Sequence, residues 1–258
     1  MNPIWIAAIV DVLLLAAFIF SLVFNIRFVA NRKTEFAQLG KIPANPLMLS
    51  DVLMLACAIV LSYSLGLPQI MPLLAVGGAL LLYHLHGVNA FSYWQFDHRE
   101  FWFYGKQGLR GYVTILLPLT VIALLVAGLC KLLGVQFTQP QVEVFLGLKG
   151  VRQILLFVFF AVIVAPIWEE VAFRGVLYPF LKKHLPMGWA MVLSSAVWAA
   201  IHLHWPVLLP FTFLGCALCF LYEKTGKLGC NIVLHAIFNL TSTLLLLFLK
   251  HYGNWQAY

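Results

Sequence analysis

Residues 155–175 read LLFVFFAVIVAPIWEEVAFRG, and this stretch decides the fold class. Its first 13 residues carry no charge. A helix of about 20 predominantly apolar residues spans the hydrocarbon core of a bilayer. The two carboxylates that follow Trp168, Glu169 and Glu170, would then lie at membrane depth. Ionisable side chains are costly there and mark functional sites.

The composition of the whole chain also indicates a membrane protein. Of its 258 residues, 63% are hydrophobic and only 10% are charged, whereas about a quarter are charged in a soluble domain. There is no room for a sizeable soluble domain. The net charge of +7 does not indicate nucleic-acid binding, because the basic residues sit between apolar runs. In that position they set topology and meet anionic lipid head groups.

Apolar length predicts an all-α fold, a polytopic transmembrane helical bundle of about eight spans. Proline and glycine separate several of these spans. The predicted spans are 4–26, 47–65, 68–88, 112–134, 151–179, 187–205, 206–222 and 229–249. The segment 134–150 is the predicted boundary between N-terminal transmembrane helices, 1–150, of unknown role, and a C-terminal helical core, 151–250.

Charge placement predicts the orientation of the chain. With the amino terminus outside, 12 of the 16 basic residues fall on the inner side of the membrane and 4 on the outer side. This bias follows the positive-inside rule and predicts that both termini lie outside. The short loops lead us to expect an integral protein of a bacterial inner membrane.

A dense set of polar residues in the C-terminal spans is the candidate functional site. Its members are Glu169, Glu170, Arg174, His202, His235 and Asn239. Each ionisable residue at membrane depth costs about 2.5–3.5 kcal/mol on insertion scales. At 1.5 Å of rise per residue, four of them lie roughly 12–22 Å from the side of the basic loops, so they could meet.

The spacing of these residues indicates which of them share a helix face. Arg174 follows Glu170 by one helical turn, and Asn239 follows His235 by one turn. Glu169 then points about 100° away from the ion pair and is free for another partner. An imidazole and a carboxamide on one face suit a developing oxyanion. The alternatives are a buried ion pair, packed histidines and polar pairs that merely join helices.

Three motifs resemble those of the CAAX protease and bacteriocin-processing family, also called the Abi family, which includes the eukaryotic type II CAAX prenyl endopeptidase. They read EEVAFRG at 169–175, WAAIH at 198–202 and HAIFN at 235–239. The resemblance covers about 150–250 and would make this part the catalytic core. The second motif usually begins with Phe, where this chain has Trp198. We expect that exchange to affect only the local packing.

The resemblance implies an intramembrane endopeptidase that cleaves a membrane-associated protein or peptide. Glu169 would be the general base that activates water, and His202 would help to hold that water. His235 and Asn239 would stabilise the tetrahedral oxyanion. The expected partners are membrane lipids and a peptide or protein substrate delivered in the membrane, whose identity the sequence does not show.

The resemblance further implies that Glu170 and Arg174 orient the site. Members of the family are often labelled metalloproteases, and a glutamate with two histidines could bind zinc. The chain has no H-E-x-x-H motif, and the resemblance favours a glutamate mechanism without a metal. Zinc therefore stays an alternative.

Two other function classes remain open on the sequence. The same scaffold could be non-catalytic, as a bacteriocin-immunity or accessory protein, with the motif residues in structural roles. Intramembrane carboxylates and histidines also form proton relays in transporters. The chain shows neither an inverted repeat nor the paired broken helices of that class.

Overall fold

The computed structural model of the protein describes residues 3–43 and 45–252, with the side chains of 3–11, 13, 14 and 252 outside the described part. Every regular element in this part of the chain is a helix, which confirms the predicted all-α bundle. The terminal residues, 1–2 and 253–258, whose side of the membrane the sequence predicts, lie outside the described residues.

The described helices are numbered in chain order. They are α1 (Pro3–Ala30), α2 (Arg32–Ala37), α3 (Leu49–Ser64), α4 (Met71–Leu85), α5 (Ala90–Tyr93), α6 (Phe101–Leu132), α7 (Pro140–Gly147), α8 (Val151–His184), α9 (Met187–Ala200), α10 (Trp205–Thr225) and α11 (Leu228–Tyr252). Short 3₁₀ turns, Pro68–Ile70 and His98–Glu100, precede α4 and α6.

The number of membrane spans agrees with the prediction of about eight. Five stretches of the described chain are long and apolar enough to cross a membrane: Pro68–Leu85, Ala90–Leu132, Val151–His184, Trp205–Thr225 and Leu228–His251. Three shorter apolar stretches coincide with the other predicted spans: Leu15–Ala30, Leu49–Ser64 and Met187–Ala200.

Two boundaries differ from the sequence prediction. Helix α6 begins at Phe101, well before the predicted start at 112. The predicted boundary segment 134–150 contains α7, whose Phe145 is fully buried. The Lys250 ammonium donates to the carbonyls of Phe145, Leu146 and Leu148 at the end of α7. Lys250 belongs to α11. Because its ammonium pairs with the carbonyls at the end of α7, the short helix is held against α11.

Helix α6 packs closely on α11 through glycine. A Cβ at Gly108 would lie 2.9 Å from the backbone nitrogen of Leu234. A Cβ at Gly229 would lie 2.7 Å from the ring of Tyr104. Small residues let transmembrane helices approach in this way. The N-terminal half is therefore joined to the C-terminal core by direct backbone contact.

Helix α1 is tied to α6 at Pro118. Proline has no N–H and leaves the carbonyl of Thr114 without its helical partner. Asn25 Nδ2 donates to that carbonyl at 2.8 Å, and Ser21 Oγ lies 3.4 Å from it. Backbone groups inside a bilayer must be satisfied within the protein, so this contact stabilises a proline within α6.

The candidate site lies where the C-terminal helices converge. Helices α8, α9, α10 and α11 pack against one another and carry the polar set, while α4 packs on α8 and α6 packs on α10 and α11. Trp198, Leu214, Leu218 and Leu234 form the apolar centre of this packing. The polar residues are thus held on helices, except His202, which lies in the turn that follows α9.

Candidate active site

A cavity of about 490 Å³ lies among α4, α7, α8, α9, α10 and α11. Its volume is in the range of small-molecule and peptide side-chain sites. Four of the six predicted residues line it: Glu169, His202, His235 and Asn239. The other two, Glu170 and Arg174, are completely buried. The structure therefore brings the predicted set together, with one part facing the cavity and the other part enclosed by protein.

Two π-helical turns flank the carboxylates in α8, at Phe160–Val164 and Val171–Leu177. Such turns are rare and occur often at functional sites. In the first turn the Ala165 N–H bonds to the carbonyl of Phe160, five residues back. The next residue, Pro166, has no N–H to continue this register. The helix is therefore widened on either side of the glutamates.

Glu170 is held by three side chains. Its Oε1 accepts from Arg174 Nη1 at 3.0 Å and lies 2.9 Å from His235 Nδ1. Its Oε2 accepts from Asn231 Nδ2 at 3.4 Å. A buried charge is tolerated only when it is paired and hydrogen-bonded. Glu170 thus meets that condition and has no face open to the cavity.

Glu169 has a different environment from its neighbour. Its Oε2 accepts from Trp198 Nε1 at 2.7 Å and lies 3.9 Å from His235 Nε2. Its side chain keeps 11% of its surface exposed, on the wall of the cavity. The two adjacent carboxylates are therefore separated into an enclosed one and an accessible one.

Trp198 connects the two carboxylate environments. Besides its bond to Glu169, its ring lies 4.7 Å from the guanidinium carbon of Arg174, a cation–π contact. The rings of His202 and His235 each lie 5.4 Å from it, edge to face. The sequence predicted that Trp for Phe changes only packing. The structure shows that Trp198 also donates a hydrogen bond to Glu169. Phenylalanine could not do so, because it has no N–H.

His202 lies in a turn, because the helix ends before it and does not continue to the predicted end at 205. Helix α9 ends at Ala200, and Leu203 adopts φ of +51°, a left-handed conformation that a leucine rarely takes. The Nδ1 of His202 lies 3.0 Å from the carbonyl of Trp198. A carbonyl only accepts, so Nδ1 donates and a neutral ring keeps Nε2 as an acceptor.

Asn239 has a structural bond as well as a place on the cavity wall. Its Nδ2 donates to the carbonyl of Ala161 at 2.7 Å. In the π register this carbonyl would pair with residue 166, which is proline. One N–H of the Asn239 carboxamide is thus used on the helix backbone, and the other is available to a ligand.

Asn231 is a site residue that the sequence analysis missed. It is fully buried and donates to Glu170 and, at 2.8 Å, to the carbonyl of Leu218 on α10. It precedes His235 by four residues, just as Asn239 follows it by four. Residues at this spacing share a helix face, so extending the third motif one turn backwards could have found it.

The donor set does not fit a zinc ion as it is arranged. Zinc needs ligands at about 2.0–2.2 Å in tetrahedral positions. Over the described residues, His, Cys, Asp and Glu side chains form no group of three that could hold a metal ion.

The comparisons with known proteins find matches to the C-terminal half of the chain. Residues 151–241 match the family model described as "Type II CAAX prenyl endopeptidase Rce1-like". A relative in Bacillus subtilis (strain 168), named "Putative membrane peptidase YdiL", is 28% identical over 92 residues, which cover 36% of this chain and 38% of the relative. No solved structure matches the chain.

The matched segment contains all three motifs and the lining residues of α8, α9 and α11 that carry the site. The apolar helices along the described chain make the protein an integral membrane protein. These matches confirm the resemblance of residues 151–241 to the CAAX protease and bacteriocin-processing family that the motifs predicted.

Proposed function

We propose that this protein is an intramembrane endopeptidase that hydrolyses a peptide bond with water activated by Glu169. The observation that carries the proposal is the separation of two adjacent carboxylates. Glu170 is closed within a buried ion pair, and Glu169 is open to a cavity. A structural ion pair with Arg174 would need only Glu170. The similarity to a membrane peptidase family supports the same conclusion.

The proposed chemistry begins with a water molecule in the cavity. Glu169 accepts one proton from it, while Nε2 of His202 accepts its second hydrogen in a hydrogen bond. The hydroxide oxygen bonds to the peptide carbonyl carbon, and the carbonyl becomes a tetrahedral oxyanion. When the C–N bond breaks, the proton on Glu169 passes to the leaving amine. Carboxylic acid and amine are the products.

His235 is the proposed donor to the oxyanion. Its Nδ1 donates to Glu170, so only the imidazolium form carries an N–H on Nε2. In that form two carboxylates face one imidazolium and the guanidinium of Arg174, and the charges sum to zero. A neutral cluster is the arrangement that a low-dielectric site tolerates. The second amide hydrogen of Asn239 would complete the oxyanion site.

The cavity favours an apolar, uncharged peptide segment. Neither lysine nor arginine is among the described lining residues, and apolar side chains, among them Phe160, Phe211 and Phe238, form most of the wall. Gln69 and Gln141 add amide groups that can pair with a peptide backbone. We therefore infer cleavage within a chain rather than recognition of a terminal carboxylate, which would need a further cation besides the His235 imidazolium assigned to the oxyanion.

Replacing each glutamate separately tests the division between them. We expect Glu169→Gln to lower cleavage by about 10²–10⁴-fold, the contribution of a general base, with an unchanged melting temperature. Glu170→Gln should instead destabilise the fold by about 3–5 kcal/mol, because Arg174 loses its buried partner. The assay uses purified protein in lipid nanodiscs and fluorescence-quenched peptides with apolar centres and blocked ends. Cleavage by Glu169→Gln at the wild-type rate would contradict the proposal.

Replacing Trp198 with phenylalanine tests the bond that the sequence did not predict. Trp198→Phe keeps an aromatic ring against Arg174 and removes the N–H that orients Glu169. We expect kcat to fall about tenfold, since misoriented groups lose rate steeply. Trp168→Phe is the matched control, because Trp168 lines the same cavity. Equal kcat for Trp198→Phe and wild type would show that the indole bond has no role.

We also propose that the cavity opens away from the cytoplasm. Its lining residues Gln139, Gln141 and Val142 precede the start of α8, whereas Lys182 and Lys183 lie at the other end of that helix. The positive-inside rule places the lysine end in the cytoplasm. In a cysteine-free chain, an impermeant maleimide should label Gln141→Cys in intact cells and Lys183→Cys only after permeabilisation. The reverse pattern would contradict this orientation.

A further inference from the structure

The second π turn of α8 contains a carbonyl that has lost its α-helical partner. The Tyr178 N–H bonds to the carbonyl of Phe173, five residues back. An α-helix would pair the carbonyl of Gly175 with the amide of residue 179, but Pro179 has no N–H. An unsatisfied backbone group is costly inside a membrane, where no water can pair with it. A donor from elsewhere in the fold can therefore take the place of the missing amide.

Side chains of the N-terminal half supply that donor. Tyr83 Oη donates to the carbonyl of Gly175 at 2.7 Å, and Trp94 Nε1 donates to the same carbonyl at 3.3 Å. Asn45 Nδ2 donates to the carbonyl of Val176 at 3.3 Å. All three side chains are buried. The turn is thus held from outside by residues far from it in the sequence.

Gly175 is needed for this contact. A Cβ at this position would lie 2.9 Å from Trp94 Nε1 and 3.2 Å from its ring carbon Cε2. Any larger residue would push the indole away from the carbonyl. The glycine that ends the first motif therefore allows the close approach of a residue outside the matched segment.

The geometry points to Tyr83, Trp94 and Asn45 as positioning residues for the carboxylate pair. Gly175 directly follows Arg174, whose guanidinium fixes Glu170. If the turn relaxes, this pair shifts relative to α11, and a misplacement of about 1 Å can lower a rate by about 10²-fold. The inference rests on the proposed function and gives the N-terminal helices a part in the active site.

Tyr83→Phe tests the inference, because it removes only the hydroxyl. Tyr222→Phe is the matched control: Tyr222 is fully buried in the same apolar cluster, and its hydroxyl has no hydrogen-bond partner among the described residues. With the quenched peptides, we expect kcat to fall about tenfold in Tyr83→Phe, with KM within about twofold of wild type. Combining it with Trp94→Phe should deepen the loss to about a hundredfold.

Hydrogen–deuterium exchange supplies a readout that needs no substrate. In nanodiscs, amides of 171–181 should exchange faster in Tyr83→Phe and at the wild-type rate in Tyr222→Phe. A Tyr83→Phe protein with wild-type kcat and exchange would overturn the inference, and so would equal losses in both variants. The Glu169→Gln protein separates the two claims: if it cleaves like wild type, the proposed function fails and the exchange comparison alone decides the positioning role.

Discussion

The interaction on which the site depends is the buried ion pair of Glu170 and Arg174. Both side chains are completely enclosed, and removing one partner of such a pair is strongly destabilising. Glu170 also needs hydrogen bonds, which come from His235 and Asn231 on α11. Helices α8 and α11 must therefore meet in one register. In that register Glu169 lies on the cavity wall, where its carboxylate is available for chemistry.

In the low-dielectric surroundings, backbone carbonyls must also find hydrogen-bond donors within the protein. At three of the prolines within the described helices, a carbonyl left without its backbone partner accepts a hydrogen bond from a distant side chain. The pairs are Asn25 with Thr114 beside Pro118, Asn239 with Ala161 beside Pro166, and Tyr83 with Gly175 beside Pro179. Two of these contacts flank the glutamates in α8. Irregular backbone next to the site is thus stabilised by the helices packed around it, which makes the fold and the site interdependent.

Much of this arrangement could be predicted from sequence, and the remainder depends on contacts that sequence spacing does not contain. Apolar length predicted the bundle and its spans, and one-turn spacing predicted the pairs Glu170 with Arg174 and His235 with Asn239. The bond from Trp198 to Glu169 joins residues 29 positions apart and depends on how an indole is turned. The bond from Tyr83 to Gly175 spans 92 positions. Sequence spacing also did not predict that α9 ends before His202, close to a leucine, Leu203, that takes a left-handed conformation.

The central claim is that two adjacent carboxylates are divided into an accessible base and an enclosed anchor. Labelling with dicyclohexylcarbodiimide, a membrane-soluble reagent for carboxyl groups, tests it most directly. Tandem mass spectrometry of the labelled peptide distinguishes Glu169 from Glu170. The account predicts an adduct on Glu169 that a cavity-bound peptide suppresses, with Glu170 unmodified. An adduct on Glu170, or equal modification of both residues, would contradict it.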